Sequence, residues 1–309
     1  MATNNFKPFA TGAGANVMSQ ADWEALTALL TGFQSGKAAS AQVNKALRQG
    51  TVMASVIGQF IADSTGQDVL DNGNTSVLLT NFLNALKANT NGRLLNVRTF
   101  TASGTYTPTT GTKKIRVRLV GGGGAGGGAA ASTVTGNVAA GHGGTAGTYG
   151  ETGLIDVSSV SSVAVTVGAG GNGSSGGNGT AGGVSAFGTY ISAPGGQAGA
   201  AGSSTATTQT IVSDHSNGSP CTGANVLVSI PGQGGFGQVS LNANTVKGGQ
   251  GGSSVLGLGG GAYTTNATPN PGTGYGGGGA GSVTTVSGGS TATAGGNGSQ
   301  GIVIIEEYA

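Results

Sequence analysis

Residues 163–183 read VAVTVGAGGNGSSGGNGTAGG, and this stretch contains both patterns on which the fold of the rear of the chain depends. Its first five residues alternate valine with smaller residues, which is typical of a β-strand. From Gly170 to Gly182 glycine then recurs at every third position. A period of three fits neither an α-helix nor a strand, but it is the period of the extended polyproline-II conformation. Because glycine has no Cβ, another backbone can lie directly against it, so we expect these segments to pack side by side.

The same spacing recurs along most of the sequence beyond residue 120. All but nine of the 66 glycines lie beyond residue 100. Each glycine costs roughly 0.5–1 kcal/mol more than alanine to order. Close packing with lateral N–H···O=C hydrogen bonds between segments could offset that cost. The glycines that we predict to be structural for this reason are Gly141, Gly144, Gly147, Gly150, Gly170, Gly173, Gly176, Gly179 and Gly182.

Short strand-like runs flank the glycine segments and favour an ordered region over a disordered linker. In Lys114–Leu119 aliphatic residues alternate with lysine and arginine, and Val163–Val167 alternates in the same way. Gly301–Tyr308 contains four consecutive aliphatic residues. The residues thus predict glycine segments bordered by short β-strands.

The front of the chain shows helical patterns instead. Ser19 and Ser40 resemble N-caps, and Asn74 or Thr75 begins a third apolar-periodic segment. Three such helices have a thin core for one chain. The sequence leaves open whether they form an independent module or associate with other copies. We place the domain boundary near Leu95, with a helical region at 1–95 and a glycine-rich domain at 96–309.

Charge is sparse, at 7% of residues, and unevenly distributed. Residues 1–118 hold 11 of the 12 lysines and arginines, whereas the remaining residues hold Lys247 and half of the ten acidic residues. The rear is therefore net negative, which argues against nucleic acid as its partner. We expect the basic residues of the front to be solvated.

Few residues of the chain could support redox, metal or targeting roles. The single cysteine, Cys221, excludes a disulfide within the chain. No secretory signal and no segment long enough for a membrane helix is visible, so we expect synthesis in the host cytoplasm and no membrane insertion. Cys221 with His142 and His215 cannot complete a four-ligand zinc site, although a metal on a threefold axis stays open. The GxGxxG matches lack a βαβ context, and we expect no cofactor and no metal.

Several stretches resemble a known family. Residues 100–128, FTASGTYTPTTGTKKIRVRLVGGGGAGGG, and residues 295–309, GGNGSQGIVIIEEYA, resemble the glycine-rich domain of bacteriophage tail fibres and receptor-binding proteins. Residues 29–73, LLTGFQSGKAASAQVNKALRQGTVMASVIGQFIADSTGQDVLDNG, resemble the helical N-terminal region of tail fibres in phages and prophages of enteric bacteria. The fibre-tip adhesins of T-even-like phages are a related arrangement.

The resemblance implies a fold and a function. The fold class is a small α-helical region followed by a glycine-rich domain of packed polyglycine-II helices with flanking short β-strands, fibrous and trimeric. The implied function is a tail-fibre adhesin in the virion, which binds an outer-membrane protein or lipopolysaccharide through the connecting loops. The implied partners are two further copies of the chain, and other tail or fibre proteins through the N-terminal region.

Two connectors supply candidate receptor-binding residues, because a glycine bundle offers few side chains of its own. In Ala262–Tyr275, tyrosines provide rigid amphipathic faces and asparagines provide hydrogen bonds. In Ser203–Pro231, polar residues cluster in the middle of the connector. The candidates are Tyr263, Asn266, Asn270 and Tyr275 in the first connector, and Asp214, His215 and Asn217 in the second.

Two other classes of function remain as alternatives. A polysaccharide depolymerase would need two carboxylates facing each other across a substrate, and the adjacent Asp214 and His215 do not amount to a catalytic triad. An ice-binding protein would use threonine-, alanine- and serine-rich faces on glycine-triplet bundles, but the helical front argues against it. We therefore expect no enzymatic activity and no catalytic residues.

Overall fold

A computed structural model describes residues 2–33, 39–90, 92–206, 209–264, 269–286 and 291–309. The chain divides into two compact units, Met1–Asn91 and Gly92–Ala309. No helix in these described ranges is long and apolar enough to cross a membrane.

The first unit is helical. Ser19 caps the first helix by accepting a hydrogen bond from the Asp22 N–H (3.2 Å), and Asn74 caps the last by accepting one from the Val77 N–H (3.2 Å). The long third helix ends at Gly66, which has a left-handed φ of 68°. The segment predicted as one helix after Ser19 forms two short ones. The helices are α1 (Gln20–Glu24), α2 (Ala28–Thr31), α3 (Ser40–Thr65) and α4 (Thr75–Asn89).

The core of this unit is small. Its buried residues lie where α3 meets α4 and the strand-like residues around Val69. Phenylalanine and leucine side chains around them stay partly exposed. The buried residues are Ile61, Ala62, Val69 and Ala85.

The second unit is built from strands and glycine-rich segments. Its described residues form sixteen strands in four antiparallel sheets. The strands are β1 (Leu94–Phe100), β2 (Gly104–Tyr106), β3 (Lys114–Val120), β4 (Asn137–Ala140), β5 (Tyr149–Thr152), β6 (Ile155–Asp156), β7 (Val163–Thr166), β8 (Ser185–Phe187), β9 (Ile191–Ala193), β10 (Thr205–Ala206), β11 (Thr210–Ile211), β12 (Val226–Ile230), β13 (Val239–Asn242), β14 (Thr245–Lys247), β15 (Val283–Thr285) and β16 (Ile302–Tyr308).

The two larger sheets enclose the main core. One has the order β1-β16-β3-β5-β12, with β6 beside β3, and the other has the order β2-β7-β8-β9. The alternation in Lys114–Leu119 is confirmed, because Ile115, Val117 and Leu119 are fully buried on one face of β3. They pack with Tyr106 and Phe187 of the second sheet. Their burial is the main apolar stabilisation of this unit.

Between the strands, glycine-rich segments lie side by side outside any sheet. The segment 121–130 follows β3, and its N–H groups donate in rotation to three neighbours at 2.8–3.0 Å. Every third bond goes to residues 142–148, the next set goes to 177–183, and the last set goes to 293–299. Its carbonyl groups accept bonds from three further segments, through the N–H groups of Gly171, Gly196, Gly199, Gly202, Gly279 and Ser282.

The predicted fold class is wrong. The described residues of the second unit form sixteen strands in antiparallel sheets rather than a fibre of polyglycine-II helices, and the structure contains one chain and no trimer. The physical reason lies in the residues between the glycine runs. Valine, isoleucine and threonine alternate there, and β-branched residues with one apolar face form strands that bury that face. Lateral bonding between glycine backbones is present, but it connects sheets instead of replacing them.

Seven of the nine glycines that we predicted to be structural lie against another backbone. A Cβ on Gly144 would lie 2.2 Å from the carbonyl oxygen of Gly124, and the six similar positions would place it 1.8–2.6 Å from a backbone oxygen. Gly150 differs, because its Cβ would meet the Cys221 side chain at 2.5 Å. Gly176 also differs, since it occupies a turn with a left-handed φ of 64°. The six similar positions are Gly141, Gly147, Gly170, Gly173, Gly179 and Gly182.

The glycine segments have two distinct ends. The sheet end adjoins β3 and β16, whose register pairs Ile302 with Val120 just before the glycine run begins. The other end carries the two small sheets, β10-β4-β15 and β11-β13-β14, joined by a buried cluster that includes Val138 and Val246. We call this second end, formed by residues 131–140, 209–212 and 239–247, the loop end. A run of ten extended residues separates the two ends by up to roughly 30 Å.

Candidate functional site

The loop end is the candidate functional surface. It gathers connectors that are far apart in the sequence, because each glycine run leads toward it and the next leads back. Its described side chains include exposed apolar residues: Ile211 is 78% exposed, Val134 59% and Leu241 45%. Lys247 is the one basic residue of the described loop end. The surface is therefore nearly uncharged and partly apolar.

The first predicted connector is divided between the two ends. The Tyr263 hydroxyl donates to Asn270 Oδ1 at 2.9 Å, and the Tyr263 carbonyl accepts from the Gly248 N–H, next to β14 of the loop end. Tyr275 instead packs at the sheet end against Val120 and neighbouring apolar residues. Asn266 lies outside the described residues. The structure thus does not bring Tyr263 and Tyr275 together.

The second connector pairs with another glycine run. Asp214 Oδ1 accepts the N–H of Gly237 at 2.8 Å, and Asn217 Oδ1 accepts that of Gly234 at 2.9 Å. These side-chain oxygens occupy the place of backbone carbonyl groups at the margin of the glycine segments. Because a donor without a partner costs about 1–3 kcal/mol when buried, both side chains stabilise the segment that they border.

His215 contacts the other histidine of the chain. Its ring meets the ring of His142 edge to face, with centroids 5.2 Å apart. Among the described residues, His142 Nδ1 is buried without a hydrogen-bond partner. Burial, together with the nearby His215, lowers the pKa of His142. The pair therefore favours neutral imidazoles at neutral pH.

Sequence reasoning missed a wider use of polar side chains along the glycine runs. Asn178 Oδ1 accepts the N–H of Ala201 at 2.8 Å, and Asn297 Oδ1 accepts that of Gly173 at 2.8 Å. Gln233 Oε1 likewise accepts from the Ser253 N–H at 3.0 Å. The sequence contains a usable signal, because an amide side chain lies inside each of these glycine-rich stretches. It also missed the apolar residues of the loop end, which have no periodic pattern.

The five acidic residues of the second unit are all engaged within the fold. Glu307 is fully buried and accepts hydrogen bonds from the hydroxyl groups of Tyr106 (2.8 Å) and Thr109 (2.6 Å). Burial and the Glu307 carboxylate raise the pKa of Tyr106. The other four bind partners as follows: Glu151 with Arg116, Glu306 with Arg118, Asp156 with Ser158, and Asp214 with Gly237.

No group of three potential metal ligands occurs in the part of the chain that the structure describes. Cys221 is half-buried, and burial raises the pKa of its thiol. Its sulfur lies 3.4 Å from the carbonyl oxygen of Tyr149. The thiol is therefore a packed structural group at the sheet end.

Comparison with known proteins agrees with the architecture at the level of a domain family. No curated protein matches the chain. The sequence model of a family described as a glycine-rich domain matches residues 99–308, which is most of the second unit. The chain therefore belongs to the glycine-rich domain family.

Proposed function

We propose that this protein is a phage tail-fibre adhesin and that its loop end binds a component of the bacterial surface. The observation that supports the proposal most is the separation of two ends within the second unit. The unit begins at Gly92, whose N–H donates to the carbonyl of Ala309, beyond the far end of β16 from the glycine runs. The loop end lies at the opposite side. An adhesin needs this order, with attachment at one end and recognition at the other.

The backbone packing supports the same role. A loop that is ordered before it binds loses less conformational entropy on binding. In the glycine runs nearly every N–H of residues 121–130 is bonded to a neighbouring segment. The runs therefore supply a stiff base for the loops, while their own surface offers few side chains for recognition.

The proposed receptor is an outer-membrane protein or lipopolysaccharide. Within the loop end, exposed Ile211, Val134 and Leu241 would provide the buried centre of the contact, and Tyr263 with Asn270 would provide polar contacts nearby. Binding centres of this kind combine apolar anchors with a few oriented polar groups. The proposed activity is binding without hydrolysis, in the virion, with the helical unit joining the chain to other tail or fibre proteins.

A pair of matched double variants tests the proposal. Ile211→Glu with Leu241→Glu places two charges on the loop end, where both side chains are exposed and the fold should tolerate them. Leu154→Glu with Leu227→Glu places the same charges on side chains of the sheet end that are 59% and 61% exposed. Adsorption of the purified proteins to host cells is then measured by co-sedimentation.

We expect the loop-end variant to lose adsorption and the sheet-end variant to keep it. Equal adsorption by both variants would refute the assignment of the loop end. Parallel assays with outer-membrane vesicles and with purified lipopolysaccharide distinguish the two receptor classes. Release of reducing sugar from host polysaccharide would instead support the depolymerase alternative.

A further inference from the structure

The longest helix of the first unit carries an apolar seam that no part of the described chain covers. Helix α3 has 26 residues and α4 has 15, so they measure about 39 Å and 22 Å. Consequently α4 covers only part of α3. Another face is occupied by the N-terminal segment, since the Asn44 side chain donates to the carbonyl of Asn16 and the Phe9 N–H donates to Thr51.

The uncovered face has the spacing of a coiled coil. Ala46, Gly50, Met53 and Ile57 follow one another at intervals of four, three and four residues. That alternation places all four on one stripe of a helix, as at the a and d positions of a heptad repeat. Met53 is 60% exposed, and no charged residue interrupts the stripe.

Gly50 is an independent indication. Glycine weakens a helix interior, so a glycine there calls for a reason. The other glycine of α3, Gly58, has one, because a Cβ would lie 2.5 Å from the side chain of Asn4. A Cβ on Gly50 would meet nothing within 4 Å. Close approach of a second helix would explain this glycine, whereas nothing in the described chain does.

The exposed apolar area is large enough for a stable contact. Eight large apolar side chains of α3 and α4 are each 43–60% exposed. Together they leave roughly 600 Å² of apolar surface in water, close to the ~800 Å² that each partner contributes to a standard interface. Solvent-exposed patches of that size mark interaction sites. These side chains are Leu47, Met53, Val56, Ile57, Val77, Leu79, Leu83 and Leu86.

We propose that this face of α3 and α4 binds the same face of a second copy of the chain. A seam without charge needs no complementary charge in its partner, and like residues meet in layers when two identical heptad stripes pair. Ala46 and Gly50 would let the two helices approach closely at one end, while Met53 and Ile57 would interlock at the other. The inference concerns the helical unit alone and does not depend on the proposed adhesin function.

The test is sedimentation of the full chain over a range of concentrations, together with three variants. Met53→Lys places a charge in the seam, and Gly50→Leu fills the point of closest approach. Gln59→Lys adds the same charge to an exposed position of α3 outside the seam and serves as the control. Far-UV circular dichroism shows whether each variant keeps its helices.

We expect the unaltered chain and Gln59→Lys to sediment as more than one 29.2 kDa chain. Met53→Lys and Gly50→Leu should each weaken association at least about tenfold. A single-chain mass for the unaltered protein at all concentrations would overturn the proposal, as would association that survives Met53→Lys. A single chain that binds a different protein through this face would also overturn it, in favour of that partner.

Discussion

Replacing Gly144 with alanine should destabilise the second unit strongly, although it adds only one methyl group. The Cβ would lie 2.2 Å from the carbonyl oxygen of Gly124, where ordinary contact begins at 3.4 Å. The two backbones must therefore separate by about 1.2 Å. Neither neighbour can yield as a flexible side chain would, since both contacts are backbone.

The magnitude follows from the hydrogen bonds at that point. The Gly144 N–H donates to Gly279 (2.8 Å), the Gly279 N–H donates to Gly124 (2.9 Å), and the Gly124 N–H donates to Thr145 (2.9 Å). Stretching two or three of these bonds leaves buried groups poorly paired, at about 1–3 kcal/mol each. We expect a loss of about 3–6 kcal/mol, which corresponds to a fall in melting temperature of roughly 10–20 °C for a unit of this size.

The assay is thermal unfolding followed by circular dichroism and calorimetry. The control is Gly153→Ala, because a Cβ at Gly153 meets nothing within 4 Å and its φ is not left-handed. That variant should change stability by no more than about 1 kcal/mol in either direction. Equal melting temperatures for Gly144→Ala and Gly153→Ala would refute the reasoning from close backbone contact.

Three further predictions concern single side chains. Burial alone would raise the pKa of Glu307, but hydrogen bonds from Thr109 outweigh it and lower that pKa, so stability present above the ordinary value of 4.5 is lost as the pH falls below it. Glu307→Gln should cost about 2–4 kcal/mol at neutral pH and flatten this acid limb in urea unfolding, and an unchanged limb would contradict the assignment. Burial and His215 lower the pKa of His142, so stability should decrease as the pH falls below 6.5, and His142→Phe should remove that decrease; an identical pH profile would count against it. Tyr275→Ala should destabilise by about 3 kcal/mol without altering adsorption to cells, and loss of adsorption in a stable variant would return Tyr275 to the binding surface.

Local structure followed from local sequence where a periodic apolar pattern was present. The alternation in Lys114–Leu119 predicted β3, and the apolar periodicity from Val43 to Ile61 predicted α3. The spacing of glycine predicted close backbone contact, which Gly144 and its equivalents show. Sheet order could not be predicted, because the pairing of β16 with both β1 and β3 joins residues 200 positions apart.

The candidate site was less predictable for a related reason. Tyr263 and Tyr275 are twelve residues apart in one connector, yet the extended chain between them leads from the loop end to the sheet end. Sequence distance does not reveal which turns of a long meander coincide. Asp214 and Asn217 were selected as polar loop residues, whereas their oxygens bind the N–H groups of Gly237 and Gly234. As receptor contacts they stay predictions.

The central claim is that laterally hydrogen-bonded glycine backbones form a stiff base for the loop end. Amide hydrogen exchange of residues 121–130 tests it most directly, with β3 and β16 as the internal reference. The claim predicts that these N–H groups exchange as slowly as those of the two central strands, although they lie outside every sheet. Exchange of residues 121–130 at the rate of an unfolded chain, while β3 and β16 stay protected, would contradict it.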